Sequence, residues 1–448
     1  MSTATSSREA TKTVSTVIEK LPLNRVHYYI LIAAGLGLAF DSFDTYIVSY
    51  AMPSIIREWK IDPITNGLLT SAGFWGMMLG AVVWGPFTDK FGRRIGFIGT
   101  ILGFAALSGF TAFATNVYQF GILRFVTGMC LGGTIPIDTA LTSEFIAARY
   151  RGKFVAFMTI LWPFGLLSAA ILSLTLVTRY GWRLLFIVGV IPAFLSFWIR
   201  AKVPESPRWL AIKGRMPEAL SVLKTLGASD EDVQGITPDE VSKKSVPVST
   251  LLQPQYLKRF ILTSGYYFFS YFGYYGFVLW LPTILATVFH LSLVKTFTYT
   301  LFVAISAILG RIFAYYTIER FGRKQLFYVG FGLGGVAALL FGTITNPALL
   351  VWGACLLAFL YEQGVVGTVV WTAELYPSKI RTTAIGWSTA AGRVSAAISP
   401  VVFGWFVQRH MYYGVYVAMA VAFWIAVGLA FFLGTETKGK SLHELGSA

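Results

Sequence analysis

The chain has 448 residues, of which 55% are hydrophobic and 13% charged, about half the charged fraction of an ordinary soluble protein. With a mean hydropathy of +0.65, that composition excludes a water-soluble globule. The net charge of +15 raises nucleic acid as a partner, but the placement of the basic residues speaks for bilayer topology instead.

The first 25 residues are polar and rich in Ser and Thr. They lack a short apolar core ending in small residues, so they do not read as a secretory signal. A spanning helix needs roughly 20 mostly apolar residues. Such runs are predicted at 26–50, 64–87, 95–115, 118–142, 153–177 and 182–200. A polar linker follows at 201–258, and further runs are predicted at 260–287, 296–318, 325–345, 348–372, 382–407 and 413–433. The expectation is an all-α polytopic membrane protein with twelve transmembrane helices in two six-helix bundles, 26–200 and 259–434. A tail at 1–25, the linker at 201–258 and a tail at 435–448 complete the division. The two cysteines, Cys130 and Cys355, fall inside apolar runs and suggest neither disulfide nor metal. If the N-terminus is cytoplasmic, 27 of the 36 Lys and Arg lie on that side and six lie outside, with Arg124, Arg311 and Arg393 inside helices. That asymmetry predicts both termini in the cytoplasm of a plasma-membrane protein.

The two halves repeat. "DKFGRR" begins at Asp89 and "ERFGRK" at Glu319; "EFIAARYR" begins at Glu144 and "ELYPSKIR" at Glu374. Both offsets are 230 residues, since 319 − 89 and 374 − 144 agree. Parallel repeats of this kind suit alternating access, with one half rocking against the other around a central site.

"GPFTDKFGRR" (85–94) and the helix-4 segment "RFVTGMCLG" (124–132) resemble the signatures of the major facilitator superfamily. "VPESPRWL" (203–210) and "TETKGKSLHEL" (435–445) are similar to those of its sugar-porter-like branch. "GGTIPIDTALTSEF", "FMTILWPFG" and "YGWRLLF" look most like relatives of synaptic vesicle protein 2, niacin transporters among them. "FDSFDT" (40–45) resembles the D-x-x-D motif of aromatic acid:proton symporters. The helix-7 glutamine pair of sugar porters is replaced by "SGYYFFSYFGYYGFVLWLP", which argues against a hexose. The resemblance implies a major facilitator fold, a non-enzymatic secondary transporter and a monomer.

The loop residues Asp89 and Arg93, with Glu144 and Arg151 at the end of helix 4, form a candidate cytoplasmic gate. Glu319, Arg323, Glu374 and Arg381 repeat it. An interfacial pair that breaks and reforms suits a rigid-body switch, and plain anchoring at helix ends is the alternative.

Seven ionisable residues fall inside the predicted helices: Asp41, Asp44, Arg124, Asp138, Arg311, Glu362 and Arg393. Each costs a few kcal/mol or more at the bilayer centre unless paired or water-lined. Counting about 1.5 Å per residue, Asp41 sits near the midplane, and Asp44 and Arg124 meet in the outer half. In the resembled family the matching Asp and Arg form a proton-sensing pair, so Asp44 is the proton carrier of choice, with a permanently locked salt bridge as the alternative. Asp41, three residues earlier, should titrate with Asp44 as a coupled unit. Arg393 lies near the midplane, where its fork suits a carboxylate. Pairing with Glu362 is the competing expectation. Asp138 and Arg311 are expected in the inner halves of helices 4 and 8 as inner-gate or packing charges.

Ten of the fifteen residues from Tyr266 to Trp280 are aromatic. Tyr271, Tyr274 and Tyr275 are candidates for a pocket wall around a planar ring, with Trp162 and Trp387 as further ones. No metal cluster or phosphate loop is present among the motifs, so no cofactor is expected. The expectation is proton-coupled symport of a small organic anion, such as nicotinate or a benzoate. A sugar symporter, a proton-coupled organic-cation antiporter and a transport-inactive receptor or scaffold remain as rivals.

Overall fold

The computed structural model describes residues 12–238 and 247–438. Twelve helices in it are long and apolar enough to cross a bilayer. The first half holds α1 (Arg25–Trp59), α2 (Pro63–Phe91), α3 (Arg93–Thr111), α4 (Val117–Phe145), α5 (Ala148–Tyr180) and α6 (Arg183–Lys202). The second holds α7 (Pro254–Thr287), α8 (Leu293–Phe321), α9 (Arg323–Gly342), α10 (Pro347–Glu374), α11 (Ser378–Gln408) and α12 (Tyr412–Leu433). All twelve predicted runs coincide with these helices. The largest boundary difference is at α1, which continues nine residues past the predicted end, through Pro53.

Local chemistry sets the starts. Asn24, Asp62, Asn116, Ser292 and Asn346 cap α1, α2, α4, α8 and α10 through their side chains, supplying acceptors to main-chain N–H groups that have no helical partner. The repeated "FGR" turns carry Gly92 and Gly322 at φ 114° and 96°, a region closed to most L-residues. Each lets the chain reverse directly into the next helix. Gly128 and Gly132 in the "RFVTGMCLG" segment lie against the backbone of α2, the close approach that small residues permit in lipid.

The halves meet through α2 with α11, α5 with α8, and α1 with α7. The 230-residue repeat maps the first of these pairs onto the second. We call the face bearing both described chain ends the terminal face and the opposite one the distal face. In the distal half, Ser49 donates to the carbonyl of Leu279 at 2.8 Å, and Gly67 and Gly404 sit where β-carbons would fall 2.5 Å from the carbonyl oxygens of Pro400 and Pro63. The halves are thus closed against each other on the distal side.

The described part of the N-terminal tail includes a helix. Val14–Lys20 forms a short helix whose Val14, Val17 and Ile18 are buried, and it packs on the linker helix Pro207–Ile212.

Candidate functional site

Arg124 of α4 reaches Asp44 of α1 with an N–O distance of 2.7 Å and donates also to the Asp44 main-chain carbonyl at 3.1 Å. Both side chains are almost fully buried, at 2% and 1% exposure. One face of the guanidinium lies over Phe186. The remaining nitrogens, Nε and Nη1, have no partner among the described residues. A void of about 10 Å³, lined in part by Thr45, Thr70, Gly73 and Arg124, lies beside them, room for about one water. The expected meeting of Asp44 and Arg124 is present.

Asp41 lies one turn nearer the terminal face, buried, with Oδ2 accepting from the Thr134 hydroxyl at 2.6 Å and Oδ1 unpartnered. Two charges act on it from opposite sides: Asp44 on its own helix and Arg393 from α11 of the other half. Arg393 is partly exposed and makes no hydrogen bond or ion pair among the described residues. Its neighbour Gly392 lies against the ring of Tyr271, and the field of Arg393 reaches both Tyr271 and Tyr275.

Glu362 does not pair with Arg393. Its carboxylate takes Arg311 of α8 at 2.7 Å, and Arg311 donates its other arm to the Thr159 carbonyl of α5, in the opposite half, at 2.6 Å. Arg311 is ten residues from the end of α8, nearly three turns, in the inner half of the helix. This leaves Arg393 without an ion pair among the described residues, Asp41 being the acid that its charge reaches. Asp138 is buried with both oxygens unpartnered.

The tyrosines converge from several helices. Tyr274 stacks on Tyr361 of α10, with 3.6 Å between centroids, and Tyr275 meets Phe74 of α2 edge-on across the halves. Tyr271 packs on Tyr275. Trp162 opens the second part of α5 and packs near Leu38 and Met158. Trp387 is 49% exposed and sits about 120° round α11 from Arg393. Tyr46 and Tyr361 were missed from sequence. The hydroxyl of Tyr46 is buried without a partner, within reach of Tyr274 and Glu362. Its signal was its place, two residues past Asp44 on the same apolar helix.

At the terminal face two charge clusters mirror each other. Arg93 bridges Asp89 at 2.6 Å and Glu144 at 3.0 Å, while Arg323 bridges Glu319 and Glu374, each at 2.9 Å. Each of these pairs stays within its own half. Arg151 and Arg381 stand outside the clusters. They fold back to main-chain carbonyls five residues earlier, Ile146 and Tyr376, and Arg151 approaches Glu19 at 3.9 Å. The acids that complete the clusters are Glu205 and Glu436, which accept the main-chain N–H groups of Arg93 and Arg94, and of Arg323 and Lys324. Their signal was the pair of end signatures, "VPESPRWL" and "TETKG", in which each acid stands three residues past the last helix of its half.

The family model described as "Sugar (and other) transporter" matches residues 29–448. A niacin transporter of Acinetobacter baylyi is 33% identical over 438 residues, covering 96% of this chain and 98% of that protein. A benzoate transport protein of the same organism is 26% identical over 412 residues, 89% of this chain and 87% of that protein. Among solved structures, the xylose transporter of E. coli in an inward-open conformation superposes with a TM-score of 0.76 at 21% identity, covering 94% of this chain and 99% of that one.

Proposed function

Because the chain belongs to the sugar (and other) transporter family, we propose that it carries a small aromatic or heteroaromatic carboxylate, of the nicotinate or benzoate class, together with protons. The observation that carries this reading is Arg393, a mid-helix guanidinium outside any ion pair among the described residues, with the Tyr271 ring against its neighbour Gly392. A guanidinium fork matches a carboxylate, and tyrosine faces match a planar ring. The relatives named for niacin and benzoate support the same class.

Coupling follows from charge. A carboxylate bound at Arg393 cancels the cation that Asp41 feels from the other half, and the site regains neutrality by accepting a proton on the Asp41–Asp44 pair. In the distal-closed conformer Arg124 holds Asp44. Rocking of the halves then exposes the loaded site on the opposite face. The terminal face is cytoplasmic in this reading, since it carries the excess of Lys and Arg. The protein acts as a monomer in the plasma membrane, importing its substrate.

Titration calorimetry with benzoate and nicotinate on the purified protein tests the anion site. Arg393→Gln should weaken binding at least tenfold, about 1.4 kcal/mol, with Arg393→Lys between it and the wild type. Unchanged affinity in Arg393→Gln rules this site out.

A further inference from the structure

One intramembrane carboxyl has no part in the scheme above. Asp138 of α4 is 0% exposed, and neither oxygen has a hydrogen-bond partner among the described residues. The charged group that acts on it is another acid, Asp41. From α1, Gly37 faces it: a β-carbon there would stand 3.4 Å from Asp138 Oδ2 and 3.2 Å from the ring of Phe97 on α3. The carboxyl thus lies within van der Waals distance of the α1 face at Gly37. A bare carboxylate without donor or cation is costly where solvent does not reach it.

Position gives this carboxyl a use. Asp44, Asp41 and Gly37 follow one face of α1 in steps of three and four residues, about 4.5 and 6 Å along the axis. Asp138 lies opposite the last of them. On α4, Thr134, Asp138 and Thr142 share one face at four-residue spacing. Thr134 already bonds Asp41 at 2.6 Å, and Thr142 lies one turn beyond Asp138, its hydroxyl on the sulfur of Met158 from α5. From Asp138 to Phe145, the end of α4 at the terminal face, are seven residues, about 10 Å. Among the elements packed here, α1 brings Asp41, with Asp44 beyond it, α3 brings Phe97, and α5 brings Met158.

We propose that Asp138 is the exit station for the coupling proton, passing it from Asp41 to the terminal face. Asp138 first yields its own proton to water entering from that face. The O–H bond of Asp41 then breaks as one forms on Asp138, which returns both groups to their starting state. This rests on the proton-symport reading above.

The test separates exchange from net flux in proteoliposomes. Counterflow of labelled benzoate against unlabelled benzoate needs no net proton release, whereas accumulation driven by an imposed pH gradient does. Asp138→Asn should keep counterflow within about twofold of wild type and lose gradient-driven accumulation at least tenfold. Gradient-driven accumulation equal to wild type in Asp138→Asn overturns the inference alone. Wild-type counterflow without any response to the gradient overturns the symport reading, and this inference with it. Should the Asn variant fail to fold, Asp138→Glu keeps the acid. Its infrared spectrum should show the C=O stretch of a protonated carboxyl displaced from the wild-type position, and a band unmoved by that change counts against Asp138.

Discussion

Arg311 donates to the main-chain carbonyl of Thr159 at 2.6 Å while holding Glu362 at 2.7 Å, so one side chain ties α8 and α10 to α5 of the opposite half. Pro163, four residues on, has no N–H to give that carbonyl its usual helical bond. The strut costs little while complete and much when half of it is removed. Arg311→Gln leaves Glu362, 3% exposed, buried without its cation, and should lower unfolding stability by about 3–5 kcal/mol. Adding Glu362→Gln should recover most of that loss. Denaturation of the purified variants measures both, and a double variant no more stable than Arg311→Gln speaks against the pairing.

Pro163→Ala attacks the same strut from the other end. The restored N–H competes for the Thr159 carbonyl, loosens the hold of Arg311 and shifts the population away from the distal-closed state. Spin labels at Arg57 and Lys295, both exposed near the distal ends of α1 and α8, should report a longer distance than in the parent with Cys130 and Cys355 replaced. An unchanged distance distribution removes the strut from the conformational balance.

Distal closure also depends on Gly67 of α2. A methyl group there falls 2.5 Å from the Pro400 carbonyl, and backbone on both sides leaves no flexible atom to yield. Gly67→Ala should lengthen the same label distance and lower uptake at least tenfold without loss of protein from the membrane. Wild-type uptake in this variant means that the two helices separate more readily than their contact suggests.

At the terminal face, Glu205 accepts N–H groups from Arg93, Arg94 and Ser206. Burial nonetheless pushes its carboxyl above the ordinary 4.5, against those hydrogen bonds. The native chain then binds this proton more readily than the unfolded one, so the contribution to stability is full below the ordinary value and declines as pH rises through the elevated one. As pH rises from the ordinary value through the elevated one, the Tm of wild type relative to Glu205→Gln should fall. A relative rise would mean that the hydrogen bonds win over burial.

The spans and the duplicated halves were legible because a bilayer leaves no alternative to long apolar helices, and because the 230-residue offset recurs at Asp89, Glu144 and their counterparts. Depth was legible too, which brought Asp44 and Arg124 to the same level. What sequence spacing does not carry is azimuth across different helices. Glu362 and Arg393 share a depth, yet Glu362 faces Arg311, and Trp387, six residues from Arg393, sits about 120° away from it round α11. Glu205 and Glu436 escaped for another reason. Each caps an amide more than a hundred residues away, and their separation, 436 − 205, is 231, one residue off the repeat. Asp138 looked like a gate charge because its lack of partners is a property of the packed bundle alone.

The most direct measurement is proton entry itself. Purified protein in proteoliposomes with an internal pH dye receives nicotinate or benzoate outside, beside an Asp44→Asn control. The predicted result is internal acidification with the carboxylate, absent with nicotinamide or xylose and absent in the control. Carboxylate accumulation with no acidification, or acidification that survives Asp44→Asn unchanged, would contradict proton coupling through the Asp41–Asp44 pair.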